Sequence, residues 1–302
     1  MKPIQKLDDM FEALKEKGRK KLVAMYANDL HTIEAVYAAV QKELIDGILV
    51  GDELKIQQVC KDGGLDPDVF TIVHEADEGK AALRSTQLIH EGRGDLIMKG
   101  LVSTDKYMRA LLNKEHGLLP SGAILSHVSV IQPQQYHKLL IVGDVAIIPQ
   151  PEIKEKIAIA RYLIQTAHAL GIAQPKLAVL AATEQVLPGM QACVDAAILS
   201  KMGERGQIKG ATIEGPLAMD VIVDRESAAI KNITSEVAGD ADCILFPNIE
   251  SGNVFYKFHT KLTGGELGAV VAGAQVPAIL SSRGDTARTK LYSIALAALL
   301  AS

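Results

Sequence analysis

Near the C-terminus, Ser281, Ser282, Arg283, Gly284 and Asp285 follow a short apolar run at 276–280. Beyond them Leu291, Ile294, Ala295, Ala298 and Leu299 recur on one helical face. The spacing predicts a strand, a polar turn and a helix capped by Asp285 or Thr286. A strand running through serine, arginine and glycine into a helix N-terminus gathers backbone N–H groups, a positive dipole end and a guanidinium around one point, which is the chemistry of an anion site. The same residues also read as an ordinary loop closed by a capping aspartate, and composition alone does not choose between the two. Gly252 and Asn253, read as the opening of a helix after a strand at 243–246, repeat the pattern.

Simpler chemistries are not written in the chain. No G-x-G-x-x-G follows a strand, and neither a P-loop nor a G-x-S-x-G elbow occurs. The eight histidines form no H-E-x-x-H and meet no C-x-x-C, so no metal is assigned. What remains is a site assembled from loops at strand ends, where open α/β sheets place their ligands.

The elements that must position such a site are legible as alternation. Apolar runs at 22–26, 48–50, 69–73 and 96–98 alternate with helical periodicity at 4–17, 29–44, 52–62 and 77–90. The Ser103-Thr104 pair caps a further helix through Arg109. Such alternation predicts parallel strands with helical crossovers, an α/β sheet covered on both faces. Runs at 127–132 and 139–142, separated by a short turn, predict an antiparallel ribbon where one domain hands over to the next. Alternation then resumes, with helices at 152–170, 190–202 and 252–261 and strands at 177–181, 243–246 and 267–271.

A chain of 302 residues, 48% hydrophobic, is long enough for two domains with sizeable cores. Its net charge of −4 and scattered lysines and arginines give no basic stripe, so no nucleic-acid partner is expected; the one dense cluster, at 15–21, reads as a solvated helix end. Cys60, Cys193 and Cys243 fit buried thiols in a reducing cytosol better than a disulfide framework. The N-terminus lacks the apolar core of a signal peptide and the longest apolar run is too short to span a bilayer, so a cytoplasmic protein with no membrane partner is expected.

Several stretches then occur in a telling order: L-V-G-D at 49–52, M-K-G-L-V-S-T-D-K-Y-M-R at 98–109, L-S-H-V at 125–128 and V-D-A-A-I-L-S-K-M at 194–202. They continue with E-G-P-L-A-M-D at 214–220, S-E-V-A-G-D-A-D at 235–242, F-P-N-I-E-S-G-N-V-F-Y-K at 246–257 and the opening segment. Together they resemble the phosphate acetyl/butyryltransferase family, more closely its butyryl branch, over nearly the whole chain. The resemblance implies two α/β domains with a cleft between them, an isocitrate/isopropylmalate dehydrogenase-like architecture. Residues 1–126 plus 270–302 would form a discontinuous first domain and 127–269 the second. It implies a homodimer or larger homo-oligomer. The implied reaction is acyl-CoA plus phosphate to acyl phosphate plus CoA by direct transfer, with coenzyme A as substrate and no tightly bound cofactor. Alternatives are a phosphate acetyltransferase, a nicotinamide-dependent dehydrogenase of the same architecture, and a homologue that binds CoA or acyl phosphate without turnover.

The resemblance also carries roles. Arg283 and, across a one-residue gap, Arg109 match arginines that meet phosphate, with a surface ion pair as each one's competing reading. Ser282 matches a serine able to donate to a developing oxyanion. The acetyl branch has a catalytic aspartate six positions beyond the arginine; here that position is Thr289, so Asp285 becomes the candidate base unless it is only a helix cap. Lys99 at a strand end and His127 are candidate phosphate contacts, His127 also a proton carrier. Gly252, Asn253 and Asp220 are candidate phosphate or CoA contacts. Leu187 and Asn248 depart from the branch's usual residues, which bears on acyl and CoA contacts.

Overall fold

The computed structural model describes residues 2–280 and 284–301. The chain opens with α1 (Asp9–Lys15), β1 (Lys20–Met25), α2 (Leu30–Gln41), β2 (Ile45–Gly51), α3 (Glu53–Asp62), β3 (Thr71–His74), α4 (Glu78–His90), β4 (Leu96–Lys99) and α5 (Thr104–Leu112). It continues with β5 (Ser126–Gln132), β6 (Leu140–Gly143), α6 (Ile153–Ala169), β7 (Lys176–Leu180), α7 (Gln191–Glu204), β8 (Thr212–Leu217), α8 (Met219–Val223), α9 (Arg225–Ile230), β9 (Cys243–Leu245) and α10 (Ile249–Lys257). It closes with β10 (Glu266–Ala272), β11 (Ala278–Ile279) and α11 (Ala287–Leu300). The fold is α/β, and the chain divides into two compact units, Asp8–Leu125 with Gly268 onward, and the residues up to Leu7 with Ser126–Leu267.

In the first of these units the strands lie in the order β3-β2-β1-β4-β11-β10, all parallel except β10, which pairs antiparallel with β11. Leu22 to Met25 and all of β4 are buried, the unbroken apolar run of a strand covered on both faces. Helices after β1 and β2 start on aspartates that cap them: Asp29 accepts the Thr32 N–H at 3.0 Å, and Asp52 the Leu54 N–H at 3.1 Å. Helix α11 is buried from Lys290 through Leu299, as befits a helix apolar on all sides, and forms the centre of the unit's core with α1 and α2.

The N-terminal helix is shorter than its periodicity predicts. It begins at Asp9, not near Ile4, because the residues before it are tied to the other unit's elements: the Ile4 N–H donates to the Leu170 carbonyl at 2.9 Å and the Leu7 N–H to Gln132 Oε1 at 2.9 Å. Tertiary partners override helical propensity here.

The second unit orders its strands β5-β6-β9-β7-β8. The expected ribbon is present, with β5 antiparallel to β6 and Val128 opposite Gly143; the other pairs are parallel. Strand β8 has no counterpart in the sequence reading, because Gly215-Pro216 breaks its pattern. Its place at the edge of the unit's strand order explains why a proline is tolerated, since an edge strand has ladder positions that need no N–H.

At the N-terminal ends of β6, β7 and β9, Asp240 accepts from His137 at 2.7 Å, Lys138 at 3.0 Å and Lys176 at 2.5 Å. Burial works against its charge, but the hydrogen bonds from Lys176, His137 and Lys138 outweigh it and hold the carboxyl well below the usual carboxylate range. A depressed folded-state value means that the stabilisation is complete above the unfolded value of about 3.9 and is lost as pH falls toward the folded one. Asp240→Asn is expected to lower the thermal midpoint at neutral pH and to flatten its decline between about pH 5 and 3. An acid profile parallel to that of the parent would show that this network contributes nothing.

Candidate active site

Parallel strands put their C-terminal ends on one edge, and each unit gathers its polar candidates there. In the first unit β4 ends at Lys99, a buried lysine whose ammonium donates to the Gly100 carbonyl at 3.2 Å. Gly100 lets the ends of β4 and β1 touch: a Cβ there would lie 2.6 Å from the Met25 carbonyl oxygen and 2.7 Å from that of Tyr26. Strand β11 runs parallel to β4 with Ile279 opposite Met98, the residue before Lys99. The chain then enters the Ser282 and Arg283 segment, which lies outside the described residues, and re-emerges at Gly284.

Helix α11 settles which residue caps it. Thr286 is the N-cap, its hydroxyl accepting the Thr289 N–H at 3.0 Å. The capping role that competes for Asp285 therefore belongs to its neighbour. Thr289, where the acetyl branch carries its aspartate, is also held in that cap, with the two threonine hydroxyls 3.0 Å apart.

In the second unit the antiparallel ribbon brings the start of β5 against the end of β6. His127 is buried there: its ring nitrogen Nδ1 lies 3.3 Å from Ser129 Oγ, and its ring meets Tyr256 edge to face at 6.2 Å. Beside it lies a carboxylate that sequence reasoning missed, Asp144. One oxygen accepts from Ser126 Oγ at 2.9 Å and the His127 N–H at 3.1 Å; the other accepts the N–H groups of Ala146 at 2.7 Å and Ile147 at 2.9 Å. Four donors compensate the desolvation of a residue only 2% exposed.

Gly252 and Asn253 join the same cluster, but they do not open their helix. Helix α10 begins at Ile249, capped by Asn248, whose side chain accepts the Ser251 N–H at 3.0 Å. The Ile249 and Gly252 N–H groups are spent on the carbonyls of Pro149 and Asn248. Helix α10 thus starts three residues before Gly252, which corrects the reading of Gly252 and Asn253 as the opening of the helix. Gly252 instead has a packing reason: a Cβ would lie 2.3 Å from the Asp144 carbonyl oxygen. Asn253 Nδ2 donates to the next carbonyl, that of Val145, at 3.0 Å.

Two candidates stand apart from these clusters. Asp220, in α8 beyond β8, shares Lys231 with Glu184, at 2.9 Å and 3.0 Å. The hydrogen bond from Lys231 holds its carboxyl below the ordinary range. Arg109 forms the surface ion pair that was its competing reading, 3.0 Å from Asp105 one helical turn back, with a side chain 79% exposed. It also rims a pocket of about 290 Å³ that has Ala82 and Leu83 in its wall and Lys106, Asn113 and His116 among its polar groups.

Among the described residues no group of three or more His, Cys, Asp or Glu could hold a metal ion, and no helix is long and apolar enough to cross a membrane. Cationic and hydroxyl groups at strand ends suit the binding of phosphate and the holding of a developing oxyanion.

Comparison with known proteins agrees with that chemistry. The family profile "Phosphate acetyl/butaryl transferase" matches residues 75–298. A phosphate butyryltransferase of Clostridium acetobutylicum is 44% identical over 298 residues, 99% of each chain. A phosphate acetyltransferase of Thermotoga maritima is 36% identical, covering 98% of this chain and 99% of its own. Among solved structures, a branched-chain phosphotransacylase from Enterococcus faecalis V583 superposes with a TM-score of 0.81 at 26% identity, covering 93% of this chain and 98% of that one. The chain belongs to the phosphate acetyl/butaryl transferase family.

Proposed function

We propose that the protein is a phosphate acyltransferase interconverting short-chain acyl-CoA and inorganic phosphate with acyl phosphate and CoA. Family membership carries this reading, and the 44% identity with a phosphate butyryltransferase over nearly the whole of both chains turns it toward butyryl-CoA or its branched relatives. The protein acts as a homodimer or larger homo-oligomer in the cytoplasm, where its three buried thiols stay reduced.

Transfer is direct. The CoA sulfur attacks the acyl phosphate carbonyl, a C–S bond forms, and the carbonyl electron pair moves onto oxygen. The oxyanion then collapses, the C–O bond to phosphate breaks, and phosphate leaves with the bonding pair while the thiol proton passes to a base. Arg283 grips phosphate oxygens with its planar fork, and Ser282 donates to the oxyanion. Asp285 takes the thiol proton, a role supported by the cap residing on Thr286. Lys99 adds a point charge for phosphate, and His127 contacts phosphate or relays a proton.

Arg109 meets a phosphate of CoA. Its present partner is an exposed carboxylate, and leaving such a pair costs at most about 1 kcal/mol. Asp220 contacts the rest of CoA, while Gly252 and Asn253 act as framework. Coenzyme A enters as substrate, and no resident cofactor is required.

The test of acyl preference is turnover of acetyl-, butyryl- and isobutyryl-CoA at saturating phosphate. The four-carbon thioesters are expected to exceed acetyl-CoA in kcat/KM by about 10-fold or more, the discrimination that pocket methylenes provide. A preference for acetyl-CoA would move the protein to the acetyl branch.

A further inference from the structure

Asp144 is the node of the second unit's strand-end edge. Its residue is 2% exposed, and both carboxylate oxygens are used twice. One oxygen closes its own loop through Ala146 and Ile147; the other reaches back to β5 and holds the Ser126 hydroxyl and the His127 backbone. The carbonyl of the same residue is pressed against Gly252, and the next carbonyl takes the Asn253 amide. His127 is thereby fixed from two sides. Its backbone hangs on Asp144, and its ring rests on Tyr256 of α10, the helix that Gly252 and Asn253 seat against residues 144 and 145.

We propose that Asp144 is a positioning residue of the acyltransferase: by holding the Ser126–His127 edge against α10 it sets where the His127 imidazole meets phosphate. This rests on the reading of His127 as a phosphate contact. Asp144 does not touch substrate in this account, because its oxygens are committed to four protein donors. Its effect passes through the placement of one ring, and a displacement of a contacting group by about 1 Å is enough to alter the step it serves.

Asp144→Asn separates the two halves of the node. The amide oxygen can still accept from Ala146 and Ile147 and keep the loop, whereas the amide nitrogen now faces the His127 N–H, donor against donor. Ser126 can rotate to accept; the backbone N–H cannot. The variant therefore loosens the His127 edge while leaving the loop closed.

The experiment measures kcat and both KM values for the full-length protein and for Asp144→Asn, His127→Ala and their double variant, with inorganic phosphate and butyryl-CoA varied in turn. Asp144→Asn is expected to raise the phosphate KM about 10-fold, the loss of one hydrogen bond to a charged group, with the butyryl-CoA KM within about 2-fold of the parent. His127→Ala is expected to raise the phosphate KM as well, and the double variant no further than the larger single effect, as for two residues acting through one contact.

If His127→Ala raises the phosphate KM and Asp144→Asn does not, or if the two effects multiply, the positioning role is overturned and the His127 reading stands. If His127→Ala leaves the phosphate KM unchanged, the His127 reading itself fails, and the proposal with it. Should Asp144→Asn not fold, Ser126→Ala decides: it removes one donor from the same oxygen and is expected to raise the phosphate KM about 3-fold. An unchanged value in a folded Ser126→Ala protein overturns the proposal.

Discussion

Replacing Arg283 by alanine is expected to lower turnover by about 10²–10³, the usual consequence of removing a preorganised group that stabilises transition-state charge. The guanidinium suits the task because its rigid fork can engage two phosphate oxygens at once as the carbon–oxygen bond breaks and charge accumulates on the leaving group. Arg283→Lys keeps the charge and loses the fork, so its turnover should fall between those of the parent and the alanine variant. Strand β11, which precedes Arg283 in the sequence, pairs in parallel with β4, whose last residue is Lys99. The measurement is steady-state kinetics on protein whose circular dichroism matches the parent. Turnover of Arg283→Ala within about 3-fold of the parent would remove this residue from the chemistry, since a catalytic donor is worth far more.

The second large effect concerns stability. Lys156 of α6 and Asp195 of α7 form an ion pair at 2.6 Å with side chains only 4% and 6% exposed, and Gln191 donates to the other Asp195 oxygen at 2.8 Å. Truncating one partner leaves the other charge buried alone, so Asp195→Ala is expected to destabilise the protein by about 3–5 kcal/mol in urea titration. Adding Lys156→Met should recover most of that loss, because the penalty comes from the orphaned ammonium and not from the missing attraction. A change below about 1 kcal/mol in the single variant would mean that Lys156 finds water, contrary to its burial.

That pair illustrates how the sequence hides meaning. Asp195 sits in the V-D-A-A-I-L-S-K-M stretch, one of those that carry the family resemblance, yet its partner lies 39 residues earlier on another helix. Nothing in local spacing joins them. The alternation of β1 through β4 with their helices was legible because buried parallel strands and aspartate caps leave strong local marks. The antiparallel ribbon was legible for the same reason. Strand β8 was not, since Gly215-Pro216 interrupts it and its edge position is a property of the sheet. The start of α10 at Ile249, three residues before Gly252, leaves no local mark, because Asn248 follows a proline and its capping role shows only in the bond to Ser251.

At the site the division is similar. Lys99 and His127 are candidates on strand ends and family motifs, both local signals. Arg109 carried a local signal for its other role, because Asp105 four residues earlier on one helix is a sufficient ion-pair partner. Asp144 carried none. It reaches Ser126 and His127 through the register that sets Val128 opposite Gly143, and Asn253 donates to the neighbouring Val145 carbonyl across a separation of 108 residues. Its hydrogen-bond network is created by strand pairing, so no local sequence pattern marks it.

Acyl exchange between a CoA thiol and phosphate is tested directly by following both products in one reaction. Purified protein incubated with butyryl-CoA and inorganic phosphate, with no metal or nicotinamide added, is predicted to release free thiol and to form an acyl phosphate, seen by phosphorus NMR, in equal amounts. Omitting phosphate should stop both. Thiol release that continues without phosphate would make the protein a hydrolase, and no release from acetyl, butyryl or isobutyryl thioesters would contradict the account altogether.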